Sequence, residues 1–284
     1  MNEHDQHDGR HAEYGFDTPG PIEVVVDARE GAVTIHAAET DVTTVHIDGR
    51  RAGEVEVERT GSGLRVAAPR SLAGFLAGDQ RLEIDLRVPL GSSLVVRTGS
   101  ATVTASGPLA AASVKSGSGD VGVEQVTGPA VVATGSGGVR LGVVGGELKV
   151  RSGSGRIDVG ETGGTASVST GSGDVRLGRT TRQVAVKTGS GDVEIGEAEG
   201  DVVTTTGSGD TLIRTARRGH VTSKCASGDI RIGVPDGTPV WTDITTVSGR
   251  VASGLRGVGE PEPGAEHVEV RAVTVSGDVV LAPA

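Results

Sequence analysis

A five-residue word returns every 18 residues through the middle of this chain, and nothing else in the sequence restricts the fold so tightly. After a degenerate copy at Thr98 it reads Ser116-Gly-Ser-Gly-Asp120, Thr134-Gly-Ser-Gly-Gly138, Ser152-Gly-Ser-Gly-Arg156, Thr170-Gly-Ser-Gly-Asp174, Thr188-Gly-Ser-Gly-Asp192 and Thr206-Gly-Ser-Gly-Asp210. A short fixed period is the mark of a repeat architecture whose units bury their apolar faces only against their neighbours. The word continues with wider spacing at Cys225, Val247 and Val275, so the later coils carry insertions.

One coil shows what the period encodes. Val175 and Leu177 alternate with polar residues, then Val184 and Val186, then Val193 and Ile195. A period of two marks short strands with one face inward. Two strands and two turns use all 18 residues and leave no room for a helix. The expected fold is therefore all-β, a β-solenoid of stacked coils of about 18 residues with two short strands and two turns per coil. Aromatic residues are nearly absent, one Trp, one Tyr and two Phe in 284 residues, so the core must be built from thin aliphatic layers.

The turns are assigned to Gly171, Gly173, Asp174, Gly189, Gly191, Asp192, Gly207, Gly209 and Asp210. Glycine suits a chain that reverses through positive φ with neighbours stacked about 4.8 Å away, and the Asp can accept a turn N–H. The expected organisation is a disordered polar tail over 1–20 and irregular β coils over 21–97. The regular solenoid follows over 98–233, and coils with insertions over 234–284 close the same stack. Within the irregular part, 70–78 reads as a capping loop whose Leu72, Phe75 and Leu76 cover exposed core. Trp241 is read as an anchor of the end core, with a contact residue as the alternative.

The opening Phe16-Asp-Thr-Pro-Gly-Pro-Ile22, the iterated Ser-Gly-Asp-Val turns and the closing Val268-Glu-Val-Arg-Ala together with Val275-Ser-Gly-Asp278 resemble the DUF4097 family, bacterial β-strand repeat proteins often described as adhesins. The resemblance covers residue 14 to the end. It implies a β-solenoid with no established catalytic residues, and a setting linked to envelope or stress regulation.

Candidate sites are weighed against that scaffold. Asp174, Asp192 and Asp210 share one offset in consecutive coils and could form a calcium ladder. Arg156 and Gly138 fall at the same offset, so these Asp residues are read as turn formers and no metal or cofactor is assigned. His4, His7 and His11, with Glu3, Asp5 and Asp8, offer metal ligands, yet a tail has no scaffold to fix their geometry. The repeated Ser172, Ser190 and Ser208 lack a partner base, because a nucleophile is unique and not copied along a stack. No catalytic residue is assigned.

A formal charge of −10 argues against nucleic acid, since a phosphate binder needs a basic surface. The acidic N-terminus and the lack of any long apolar run speak against a secretory signal and against membrane insertion, which gives a cytoplasmic expectation. What remains is a non-catalytic scaffold or interaction module, a monomer or small oligomer with an unknown protein partner. A self-assembling, adhesin-like module is the alternative, and a calcium-binding β-roll the next.

Overall fold

A computed structural model describes residues 6–61, 63–69, 81–256 and 266–284. Strand makes up 67% of the chain, and no α-helix occurs among the described residues, as two strands in every 18 residues require. The chain divides into two compact units, Met1–Gly142 and Val143–Ala284. The division falls inside the regular repeats. The capping residues Leu72, Phe75 and Leu76 lie outside the described residues.

In the first unit the strands are β1 (Gln6–Asp8), β2 (His11–Asp17), β3 (Glu23–Asp27), β4 (Gly31–Ala38), β5 (Val42–Asp48), β6 (Glu56–Thr60), β7 (Gly63–Ala67), β8 (Leu82–Pro89), β9 (Ser93–Thr98), β10 (Thr102–Leu109), β11 (Ala111–Ser116), β12 (Val121–Val126) and β13 (Ala130–Thr134). One sheet runs β1-β2-β5-β8-β4-β10-β12 and the other β13-β11-β9-β3-β7-β6. The β4 to β12 and β7 to β13 portions are parallel, whereas β1, β2 and β5 extend the first sheet antiparallel and β6 pairs antiparallel with β7. The coil made by β3 and β4 lies between the β7–β8 coil and the β9–β10 coil, out of chain order.

Residues 6–17 correct the reading of 1–20 as a disordered tail. His11-Ala-Glu-Tyr-Gly-Phe16 alternates with period two, and β2 buries Ala12, Tyr14 and Phe16. Tyr14 and Phe16 stack with ring centroids 6.5 Å apart. Half of the chain's four aromatic residues are spent on this one strand. The acidic, His-rich residues between and before them obscure the pattern.

β14 (Val139–Val144) spans the division. The second unit holds β15 (Leu148–Ser152), β16 (Ile157–Thr162), β17 (Ala166–Thr170), β18 (Val175–Thr180), β19 (Val184–Ser190), β20 (Val193–Ala198), β21 (Val202–Ser208), β22 (Thr211–Ala216), β23 (Gly219–Ser227), β24 (Ile230–Val234), β25 (Val240–Ser248), β26 (Val251–Ser253), β27 (Val268–Ser276) and β28 (Val279–Pro283). Its two all-parallel sheets run β16-β18-β20-β22-β24-β28-β26 and β15-β17-β19-β21-β23-β27-β25. Register follows the word: Val175 faces Val193, and Val184 faces Val202. A slip of one residue would turn every buried side chain to solvent.

Val175, Leu177, Val184, Val186, Val193 and Ile195 are all buried, as the alternation requires. Two further inward columns lie beyond that pattern. Thr162, Thr180, Ala198 and Ala216 are buried three residues past the second apolar position. The first residue of each word is the other: Thr170, Thr188, Thr206, Cys225 and Thr274 point inward and are buried. Hydroxyls of this column bind the turn, where Gly155 N–H donates to Ser152 Oγ (2.9 Å) and Gly173 N–H to Thr170 Oγ1 (3.1 Å). Burial raises the Cys225 thiol above its ordinary range.

The stack departs from chain order at its C-terminal end. The last coil in sequence, β27 with β28, was expected to close the stack. It sits instead between the β23–β24 coil and the β25–β26 coil. Composition explains the exchange. β27 turns Val268, Val270 and Ala272 inward, while the paired positions in β25 are Val240, Thr242 and Ile244, so the more polar coil takes the edge.

Candidate interaction surface

The outer coil β25–β26 is only partly covered on its inward face among the described residues, with Val240, Ile244 and Thr246 half-buried. Val251 occupies the column of buried Val279 but is 51% exposed, and Ser253 beside buried Leu281 is exposed as well. The outer edges of β25 and β26 pair with no other described strand. Among the described residues their backbone donors and acceptors on that side meet no strand, as at a sheet edge.

Two apolar features adjoin the edge. Val247 (78% exposed) and Val275 (54%) stand side by side in the turn word, at the position held by Gly189 and Gly207 in earlier coils. An added Cβ at Gly207 would meet the Gly189 carbonyl oxygen at 2.6 Å. From Gly209 onward the turn changes. Gly209, Gly228 and Gly277 adopt φ of +142°, +144° and +148°, and Ala226, Val247 and Val275 stand where earlier coils have Gly189 and Gly207. Among the six assigned turn glycines only Gly209 has positive φ, which corrects the expected reason for the others. Gly173 and Gly191 are required by close approach, since a Cβ there would meet the preceding coil's carbonyl oxygen at 2.1 and 2.4 Å.

Trp241 is the second feature, and its assignment to the end core is overturned: it is 57% exposed. Its position on β25 alternates outward, opposite Glu269 of β27. With His220, Asp243, Glu269 and Arg271 it lines a groove of about 460 Å³. His220 Nε2 lies 3.2 Å from Glu269 Oε2, and Arg271 Nε lies 3.4 Å from Asp243 Oδ2. The Asp201 carboxyl is held below its usual range chiefly by the His220 backbone N–H, which donates to it at 2.9 Å. A flat aromatic side chain ringed by both signs of charge can bury against a partner while its neighbours supply hydrogen bonds.

The Asp column has a structural occupation. Asp174 Oδ1 accepts the N–H of Asp192 (3.2 Å), Asp192 Oδ1 that of Asp210 (2.8 Å), and Asp210 Oδ1 that of Asp229 (2.8 Å). The relay follows spatial order across the exchanged coil: Asp229 Oδ1 accepts from Asp278 (2.9 Å) and Asp278 Oδ1 from Arg250 (2.8 Å). Each carboxylate thus caps the turn of the next coil. Arg156, at the same offset, pairs with Asp174 at 2.9 Å. These contacts give Asp174, Asp192 and Asp210 a hydrogen-bonding role in the turns.

On the outer face of the same unit, charges alternate between coils. Glu194 sits between Arg176 (2.9 Å) and Arg214 (2.7 Å), and Arg179 pairs with Glu199 at 2.5 Å. The Arg214 hydrogen bond, with a smaller part from Arg176, holds the Glu194 carboxyl below its usual range. The ladder lies on a solvated sheet surface, its Arg side chains half-exposed.

No curated protein matches the chain. A solved structure described as a "putative adhesin" from Bacteroides fragilis is similar at 12% identity, covering 96% of this chain and 98% of its own, with a TM-score of 0.40. One with the same description from Parabacteroides merdae shows 12% identity, 96% of each chain covered and a TM-score of 0.39. A "putative lipid binding protein" from Parabacteroides distasonis shows 14% identity over 96% of this chain and 97% of its own, with a TM-score of 0.38. The Toastrack DUF4097 family pattern matches residues 22–282, and the chain belongs to that family.

Proposed function

We propose that this chain is a non-catalytic interaction module that binds an extended segment of a partner protein along the open edge of β25 and β26. The observation that carries the reading is the terminal coil whose outer edge pairs with no other described strand, with Val251, Val247 and Trp241 exposed around it. An extended segment adding to such an edge gains main-chain hydrogen bonds, and side-chain pockets give it specificity. Val251 and Val247 offer the apolar contact and the Trp241 groove the selective one. A partner is favoured over a second copy by the chain's charge of −10, since like-charged copies repel and a basic partner is attracted. The adhesin descriptions of the similar structures fit an interaction role of this kind.

The test is cross-linking in native lysate with residues mapped by mass spectrometry, using the intact chain and a Val247→Lys/Val251→Lys variant. The expected result is a partner cross-linked within 240–253 in the intact chain and lost in the variant, with far-UV circular dichroism unchanged. Cross-links from the same region to a second copy would establish the self-assembling reading instead. Partner contacts confined to other coils would overturn the edge.

A further inference from the structure

A second candidate lies in the other unit, where β2, within the residues read as a polar tail, pairs with β5. β2 and β5 are antiparallel neighbours whose inner faces are sealed by Ala12, Tyr14 and Phe16 and by Thr43, Val45 and Ile47. Their outer faces carry His11 and Glu13 on β2 and His46 and Asp48 on β5. Register sets Glu13 directly opposite His46 and His11 directly opposite Asp48. Directly opposed side chains of an antiparallel pair start about 5 Å apart at Cβ, close enough to share one ligand.

We propose that His11, Glu13 and His46 form a surface site for a zinc-class divalent transition metal, with Asp48 as the positioning residue for His11. One ligand atom from each of the three lies within 4.8 Å of the other two, and Glu13 Oε1 is 3.7 Å from His46 Nδ1. Tetrahedral zinc with bonds of about 2.0–2.1 Å sets its ligands roughly 3.3 Å apart, so small side-chain rotations close the set. All three residues are half-buried, on strands anchored by the core beneath, which supplies the fixed geometry a tail would lack.

Asp48 provides the second, independent feature. Its Oδ1 lies 2.8 Å from His11 Nδ1. A carboxylate can only accept, so Nδ1 donates to Asp48, and metal binding would fall to Nε2. A carboxylate behind a metal-binding imidazole fixes tautomer and ring orientation and raises ligand basicity. The next strand extends the field: register puts Asp85 of β8 beside His46, and Glu83 beside Asp48. Two imidazoles and a carboxylate suit zinc and its neighbours better than calcium or magnesium, which take oxygen ligands. The bound ion would tie β2 to β5 and leave its fourth position for water.

Zinc and cobalt(II) titrations of the metal-free full chain test the site. The expected result is one equivalent bound, with visible cobalt absorption of four-coordinate character and a higher melting temperature. His46→Ala and Glu13→Gln are each expected to weaken binding at least tenfold with far-UV circular dichroism unchanged. Asp48→Asn is expected to weaken it about tenfold, as lost outer partners do at known sites. A His4→Ala/His7→Ala variant should bind as the parent does, because the proposed ligands are His11, Glu13 and His46 alone. Binding that survives His46→Ala, disappears in the His4/His7 variant, or fails to saturate at one equivalent would overturn the site.

Discussion

Gly173 shows how one atom can be forbidden by a stack. Its backbone is not in the left-handed region, yet a Cβ would stand 2.1 Å from the Gly155 carbonyl oxygen, a backbone atom that cannot move without its own coil. Gly173→Ala should therefore destabilise by about 1–3 kcal/mol, the usual cost of overpacking. Gly15→Ala, with nothing within 4 Å of the added atom, should stay within about 0.5 kcal/mol. Urea unfolding of the two variants checks the contrast, and equal effects would remove steric approach as the reason for the word. Glu194 makes a residue-scale prediction of another kind. Its folded carboxyl titrates below its ordinary 4.5 because Arg214 and Arg176 favour the charged form. Such a group contributes stability that is complete above the unfolded value and lost as pH falls through the folded one. Glu194→Gln should cost about 0.2–1 kcal/mol at pH 7, and the difference from the parent should shrink below pH 4.5 and vanish in stronger acid. A difference that persists undiminished at low pH would mean that Glu194 acts by packing.

Within single elements, the alternation in the sequence predicts what the strands bury, and β18, β19 and β20 turn inward the residues it marks. The alternation was less informative where a strand bends: Thr180 follows two outward residues, and its burial belongs to the turn geometry. Coil order was not legible for a different reason. Parallel pairing needs only a matching register, and β25 and β27 offer the same spacing from their first valine to the Ser of the turn word, so sequence position cannot say which one meets β23. Inward polarity decides it, through Thr242 at the edge and Val270 inside. The metal candidate escaped for the same reason, since His46 reaches His11 only through strand pairing between residues 35 apart. At this scale Val184→Asp is the informative change. Val184 is fully buried between Ala166 and Val202, and an unpaired charge there should cost about 3–5 kcal/mol. Because each coil is ordered only by its neighbours, amide exchange should accelerate in β17 and β21 as well as β19. Val131→Asp, at a half-exposed position, should leave exchange unchanged. Loss of protection limited to β19 would contradict the stacked account.

For the molecule as a whole, the open coil and the net charge pull in opposite directions. An unpaired edge with Val247 and Val251 exposed templates association with any complementary strand, including one from another copy. A charge of −10 opposes contact between copies, with a reach of about 10 Å at 0.1 M salt and about 3 Å at 1 M. If the edge serves a partner and charge keeps copies apart, the intact chain should be a small discrete species near physiological salt by light scattering after size exclusion. Raising salt toward 1 M should then produce concentration-dependent growth, because screening removes the repulsion and leaves the edge. Val247→Lys/Val251→Lys should abolish that growth by placing charge in the contact itself. Filaments of the intact chain at physiological salt would show the edge serving self-assembly and would remove the case for a partner strand, whereas growth unaffected by the double variant would locate the sticky surface elsewhere.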